Sequence, residues 1–274
     1  MSHNAHDPIL PAAATIAHIS EFHLQELRKS GISETEAVRH GMRTINTAVE
    51  ISTLLNWRNT QGAVKLGSCL CIPYFDIHGN ETGYCRIKPG TPGVRKAGKP
   101  RKYLGPSRIP TGIYFPLIGA DRYLSPGTIF IFTEGEKKAI SAALFGFPSI
   151  GLGGVATWSI KRDRRVDGTP IGPRLLRPEL ANLPWKGRHV YIAFDSDRAS
   201  NPSVLREERE LAKALYALGA MVRIIELPAA SNGAKQGLDD YLVSHGAEAL
   251  RKLMLMSVTM QELNAKKHSV ANDD

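Results

Sequence analysis

From residue 127 onward, short continuous apolar runs alternate with amphipathic helical stretches, and this order restricts the second half of the chain to very few folds. The run TIFIFT at 128–133 is followed by EKKAISAALFG, a helix stopped by Gly146. PSIGLGG, HVYIAF and MVRIIEL then read as three more strands, with the long helix SVLREERELAKALYALG before the last of them and a further helix after it. Strands apolar along their whole length are buried on both faces, which implies a parallel sheet with helices on either side. Right-handed crossovers place the loops after each strand on one edge, where open α/β sheets bind ligands.

Two acidic motifs fall on that edge. Glu134 follows the first strand in Thr133-Glu134-Gly135-Glu136-Lys137, and Asp195 and Asp197 follow the third in Phe194-Asp195-Ser196-Asp197. Either motif alone reads as a cap for the helix that follows it. Together, at the ends of strands of one parallel sheet, they can meet despite their separation in sequence. Clustered carboxylates repel one another and their pKa values rise unless a cation neutralises them. An oxygen-only set suits Mg²⁺, or Mn²⁺ in its place, and such an ion stabilises charge on phosphoryl oxygens.

The 274-residue chain carries a formal net charge of +9, which favours a polyanionic partner such as nucleic acid. Arg86, Lys88, Arg95, Lys96, Lys99, Arg101 and Lys102 lie in one loop-rich stretch with no acid, flanked by Tyr84 and Tyr103. Phosphate contacts beside stacking rings are what a single-strand groove needs, and a solvated loop is the plainer reading. Lys161, Arg162, Arg164 and Arg165 make a second basic cluster, read as a surface loop or a phosphate grip in the insertion between the second and third strands. Gly151, Gly153 and Gly154 suggest a tight turn near the acidic edge and do not complete a dinucleotide fingerprint.

Upstream, Ser20 to about Leu55 is patterned as helix, with Phe22 and Leu27 among the apolar positions, Gly31 as a stop, and Ser33 with Glu36 as a capping box. Residues 64–88 read as a β-hairpin turning at His78-Gly79-Asn80. Cys69, Cys71 and Cys85 fit buried hairpin positions better than zinc ligands. No signal peptide or run of about 20 apolar residues is visible, so the expectation is a cytoplasmic protein with no membrane partner.

The pattern of FTEGEKKA followed by AFDSD resembles the Toprim family, over about residues 125–255. With FPSIGLGGVATW, FDSDRASNP, GLDDYL and the upstream hairpin, it is most similar to the Toprim-like domains of phage and plasmid primase proteins, from about residue 20 to 255. The resemblance implies a Toprim-like parallel sheet flanked by helices, preceded by a small α+β domain with a β-hairpin. The corresponding division is an arm at 1–19, a nucleic-acid-binding region at 20–120, a catalytic domain at 121–258 and a tail at 259–274. Glu134, Asp195 and Asp197 are then acid/base and metal residues, Lys137 or Lys138 and Lys235 phosphate contacts, and Asp239 and Asp240 close the site. Arg86, Lys88, Arg101 and Lys102 are the matching contacts on the basic stretch.

The implied activity is Mg²⁺-dependent primase-like nucleotidyl transfer in the DNA replication of a phage or mobile element, on a single-stranded DNA template with nucleotides. A Toprim-type nuclease and a non-catalytic DNA-binding accessory protein remain the alternatives. No GxxxxGK[ST] phosphate loop is present, so a helicase would come from a separate chain. The zinc module of cellular primases and the tyrosine-bearing domain of topoisomerases have no counterpart either.

Overall fold

The computed structural model describes residues 18–94, 98, 100–259 and 262. The arm expected at 1–19 and the tail expected at 259–274 fall mostly outside them, as do Arg95, Lys96 and Lys99.

The N-terminal part begins with helices α1 (Glu21–Lys29) and α2 (Glu34–Arg39), strand β1 (Arg43–Ile45) and helices α3 (Ala48–Leu54) and α4 (Gln61–Val64). Ser33 caps α2 as its spacing requires, its Oγ accepting the Glu36 N–H at 3.2 Å. The face that α1 buries is His23, Leu24 and Leu27, while Phe22 is 60% exposed and lies outside the core. The stretch is not helical throughout. Arg43–Ile45 is extended because it pairs antiparallel with Cys71–Cys69, a tertiary contact that overrides local propensity.

Strands β2 (Cys69–Phe75) and β3 (Glu81–Pro89) form the expected hairpin, in a three-stranded sheet ordered β1-β2-β3. Asp76 organises its turn, with Oδ1 accepting the N–H groups of His78 and Asn80 at 2.8 and 2.9 Å. Cys69, Cys71 and Cys85 are free thiols buried on this hairpin, in the core beneath α3 and α4.

The larger sheet contains β4 (Ile113–Tyr114), β5 (Phe130–Glu134), β6 (Ser149–Leu152), β7 (His189–Ala193), β8 (Met221–Ile224) and β9 (Val258–Thr259), ordered β4-β6-β5-β7-β8-β9. Its four inner strands are parallel, as the alternation predicts. Both outer strands are antiparallel, so the sheet is mixed. Two-residue antiparallel strands at each margin leave little unpaired backbone exposed.

Helices α5 (Glu136–Leu144), α6 (Pro178–Ala181), α7 (Pro202–Ala217) and α8 (Leu238–Met256) complete the fold. Phe130, Phe132, Val190 and Ile192 pack with Leu211 and Leu215 of α7 on one side of the sheet. Ile131 and Ala193 pack with Ala142 of α5 and Leu238, Leu242 and Leu250 of α8 on the other. Each fully buried residue of this size contributes roughly 1.5–3 kcal/mol by leaving water. A third core joins Leu24, Leu27, Leu70 and Ile72 to Tyr114, Ala139 and Ile140, so the N-terminal sheet is anchored directly on β4 and α5. No helix among the described residues is long and apolar enough to cross a membrane.

Candidate active site

The register between β5 and β7 sets Thr133 opposite Ala193, so the chain delivers Glu134 and, one step beyond Phe194, Asp195 to the same sheet edge. Adjacent strands lie about 4.8 Å apart, close enough for the two carboxylates to feel each other. Gly135 makes the turn into α5 with φ of +100°, a conformation that glycine adopts without a Cβ penalty. Asp197 sits on the 3-10 turn at 196–200. That turn is clamped to the loop before α8 by two hydrogen bonds, Ser196 N–H to Gln236 O at 3.0 Å and Gln236 N–H to Ser196 Oγ at 2.8 Å.

This clamp brings Lys235 over the aspartates. Its Nζ lies 2.8 Å from Asp195 Oδ2 and 3.0 Å from Asp197 Oδ1, while Lys138 Nζ approaches Asp195 Oδ1 at 3.1 Å. Burial pushes Lys138 and Lys235 toward neutrality, but the aspartates outweigh it and both ammonium groups titrate above their usual range. Burial pushes the Glu134 carboxyl up, and the Asp195 charge pushes it the same way.

Removing the Glu134 charge is therefore expected to stabilise the fold at neutral pH. A carboxyl raised above its ordinary 4.5 is most favourable when protonated, and its cost appears as pH climbs through the raised value. Glu134→Gln is expected to melt above wild type at pH 7–8, with the gap closing toward pH 4. Thermal melts of both chains across that range check this, and a gap independent of pH would contradict it.

Glu134 and Asp195 open onto a cleft of about 790 Å³, whose lining also includes Lys138, Lys235, Lys102 and Tyr103, while Asp197 stands outside the lining. Gly153 and Gly154 form part of its wall, as the tight-turn reading expected. A Cβ at Gly153 would lie 2.9 Å from Arg86 Nη1 and would collide with the Thr111 side chain.

The other expected contacts divide by partner. Arg101 and Lys102 are exposed. Arg86 is mostly buried, pairs with the buried Glu136 at 2.7 Å, donates to Gly153 O at 3.1 Å and lies 4.6 Å over the Tyr103 ring. Tyr74 also donates to Glu136. Lys88 and Lys137 converge on Glu26 of α1, Lys137 at 3.0 Å. These groups join the N-terminal part to the start of α5. Sequence reasoning missed Glu26 and Glu136, since an isolated acid on a helix carries no mark of its partner. Asp240 accepts the Gly237 N–H at 3.0 Å and caps α8, and the buried Asp239 accepts from Ser30 Oγ at 2.6 Å.

The donor chemistry fits a hard cation. Glu134, Asp195 and Asp197 offer oxygen only, and the Lys235 ammonium already bridges Asp195 and Asp197 as a stand-in positive charge. As the side chains stand, no group of three acidic, histidine or cysteine ligands among the described residues converges on one ion position. Lys235 is half-exposed and can turn outward to vacate the place between the two aspartates.

Over residues 125–249 the chain matches the family described as Domain of unknown function (DUF3854). An uncharacterized protein of Picosynechococcus sp. is 32% identical over 130 residues, which are 46% of this chain and 12% of that protein. Among solved structures, the zinc-binding and RNA polymerase domains of Aquifex aeolicus primase align with a TM-score of 0.54 at 15% identity, over 87% of this chain and 56% of that one. A DnaG primase catalytic domain bound to single-stranded DNA gives 0.55 at 15% identity, over 88% and 76%. The RNA polymerase domain of Mycobacterium tuberculosis primase DnaG gives 0.56 at 14%, over 87% and 77%. The chain thus has a Toprim/primase-like α/β fold, similar to that of bacterial primase catalytic domains. It spans a small part of its curated relative and just over half of the Aquifex chain.

Proposed function

We propose that the cleft is the active centre of a primase-like, Mg²⁺-dependent nucleotidyltransferase that serves the replication of a phage or plasmid-like mobile element. The observation that carries this reading is the placing of Glu134 and Asp195 on adjacent strand ends, beside two lysines, in a cleft whose far wall is basic. The fold shared with primase catalytic domains supports it, and the resemblance of FTEGEKKA, FDSDRASNP and GLDDYL to phage and plasmid primase proteins suggests the biological setting.

Glu134, Asp195 and Asp197 would hold Mg²⁺, which supplies charge neutralisation to the phosphates of an incoming nucleotide. Lys138 and Lys235 then face phosphate oxygens as well as aspartates, with Lys137 at the rim. Where Asp195 and Asp197 alone hold the ion, Glu134 is instead placed to take the proton of an attacking 3′-hydroxyl. Arg101 and Lys102 draw a single-stranded DNA template along the opposite wall, and Arg86 and Lys88 hold that wall in place. Rate acceleration would come from positioning and preorganised charge.

The test is incubation of the purified chain with a long single-stranded DNA, the four ribonucleoside triphosphates and Mg²⁺, with labelled products resolved by size. Short oligoribonucleotides that require both template and Mg²⁺ are the expected result. Strand cleavage without nucleotides would replace this reading with a nuclease, and metal-independent binding without products would replace it with an accessory role.

A further inference from the structure

The insertion between β6 and β7 carries a basic cluster that the proposed chemistry leaves unused. It is a long loop, called here the ribbon, whose two arms run antiparallel through isolated bridges, Ser159 with Leu176 and Arg164 with Pro170, tied at its foot by Arg177 N–H to Trp158 O at 3.0 Å and Ile160 N–H to Leu175 O at 2.9 Å. Near its tip it is tied by Ile171 N–H to Asp163 O at 2.8 Å and Arg165 N–H to Thr169 O at 2.8 Å. The tip at 164–170 is exposed throughout. The foot is rigid. Trp158 is fully buried, Arg174 lies 4.4 Å over its ring, and Arg174 pairs with Glu207 of α7 at 2.6 Å.

Between ribbon and α7 lies a cleft of about 890 Å³, lined by Lys161, Arg162 and Arg164 on one side and Arg206 and Lys213 on the other. Its two acids are engaged, Glu207 by Arg174 and Glu210 by Lys213 at 2.9 Å. Among the described residues no acid pairs with Lys161, Arg162 or Arg164. The two arginines donate only to carbonyls of their own ribbon, Gly172 at 3.2 Å and Gly168 at 2.7 Å. The positive charge on this wall is therefore unspent.

Resting on the nucleic-acid reading above, we infer that ribbon 158–177 and α7 form a clamp for the phosphate backbone of a duplex. Single-strand grooves pair basic groups with exposed rings on which bases stack, and this lining contains no aromatic residue. Ala156 lines both this cleft and the carboxylate cleft, so the two meet at one loop. A template–product duplex leaving the carboxylates would enter the clamp next.

The test is fluorescence anisotropy with the full chain, using a labelled 20-base-pair duplex and the matching single strand over a series of salt concentrations. Lys161→Ala/Arg162→Ala/Arg164→Ala is expected to weaken duplex binding at least tenfold and to flatten the salt dependence by roughly three units, at about 0.9 per lost phosphate contact. Single-strand affinity should stay within twofold. Arg206→Glu on the facing helix should act in the same direction, which covers a triple variant that misfolds. Arg251→Ala/Lys252→Ala on α8, remote from the clamp, should change little.

Unchanged duplex binding, an equal loss for duplex and single strand, or an equal loss in the α8 variant overturns the clamp. Primer synthesis by wild type with normal duplex binding in the ribbon variants sinks the clamp and leaves the catalytic reading standing. Ribbon-dependent duplex binding by a chain that makes no primers does the reverse.

Discussion

Arg198→Leu is expected to melt roughly 10 °C below wild type. Arg198 donates through Nε and Nη2 to both oxygens of Glu208, each at 2.6 Å, and Glu208 is fully buried. Breaking a buried pair by removing one member costs about 3–5 kcal/mol because the other charge is stranded. In a protein of this size each kcal/mol shifts the melting point by roughly 2–4 °C. Burial already pushes the Glu208 carboxyl up and Arg198 draws it down, so without the guanidinium that carboxyl rises further. The deficit should therefore shrink as pH falls from 8 toward 5 and Glu208 takes up a proton. Arg198→Leu/Glu208→Leu should recover much of the lost stability, since an apolar pair avoids the stranded charge. Melting of the three chains across pH checks all of this, and a single variant as stable as wild type would refute it. The residue also matters for the site. The Arg198 N–H bonds Asp195 O at 3.0 Å, so the buried pair fixes the turn that carries Asp197.

Asp195→Asn should lower primer synthesis roughly a thousandfold while the chain stays folded. A carboxylate that helps a divalent ion stabilise transition-state charge is worth several kcal/mol, and each 1.36 kcal/mol is tenfold in rate. Asp195 is buried, meets both Lys138 and Lys235, and stands beside Glu134, so no neighbour can substitute for it. Its amide variant keeps the shape and leaves Lys138 short of one counter-charge, which should move the melting point by only a few degrees. Calorimetric titration with Mg²⁺ should show weaker binding in the same variant. A folded Asp195→Asn chain with undiminished product would remove Asp195 from the mechanism.

The strand–helix alternation after residue 127 was legible because burial on both faces imposes a continuous apolar run on each inner strand, and each of those strands is found. The antiparallel margins were not, since two-residue strands such as Ile113–Tyr114 carry too little pattern. The hairpin was marked by its turn residues, whereas β1 was hidden because its conformation comes from β2. Phe22 reads as core by composition, and only the placement of α1 turns His23 inward instead.

At the site, the order of elements alone put Glu134, Asp195 and Asp197 on one edge, because parallel strands joined by right-handed crossovers have all their carboxyl ends together. What the order of elements could not decide is which charge meets which. Lys235 lies far along the chain from Asp195, and only the Ser196–Gln236 clamp brings them into contact. Arg86 looked free in a loop-rich basic stretch, yet the packing of β3 against α5 gives it Glu136. Local pattern is written into neighbouring residues by side-chain period, and the sequence by itself determined that much. Water screens a charge from all but the groups held against it, so only the finished tertiary packing selects the partners.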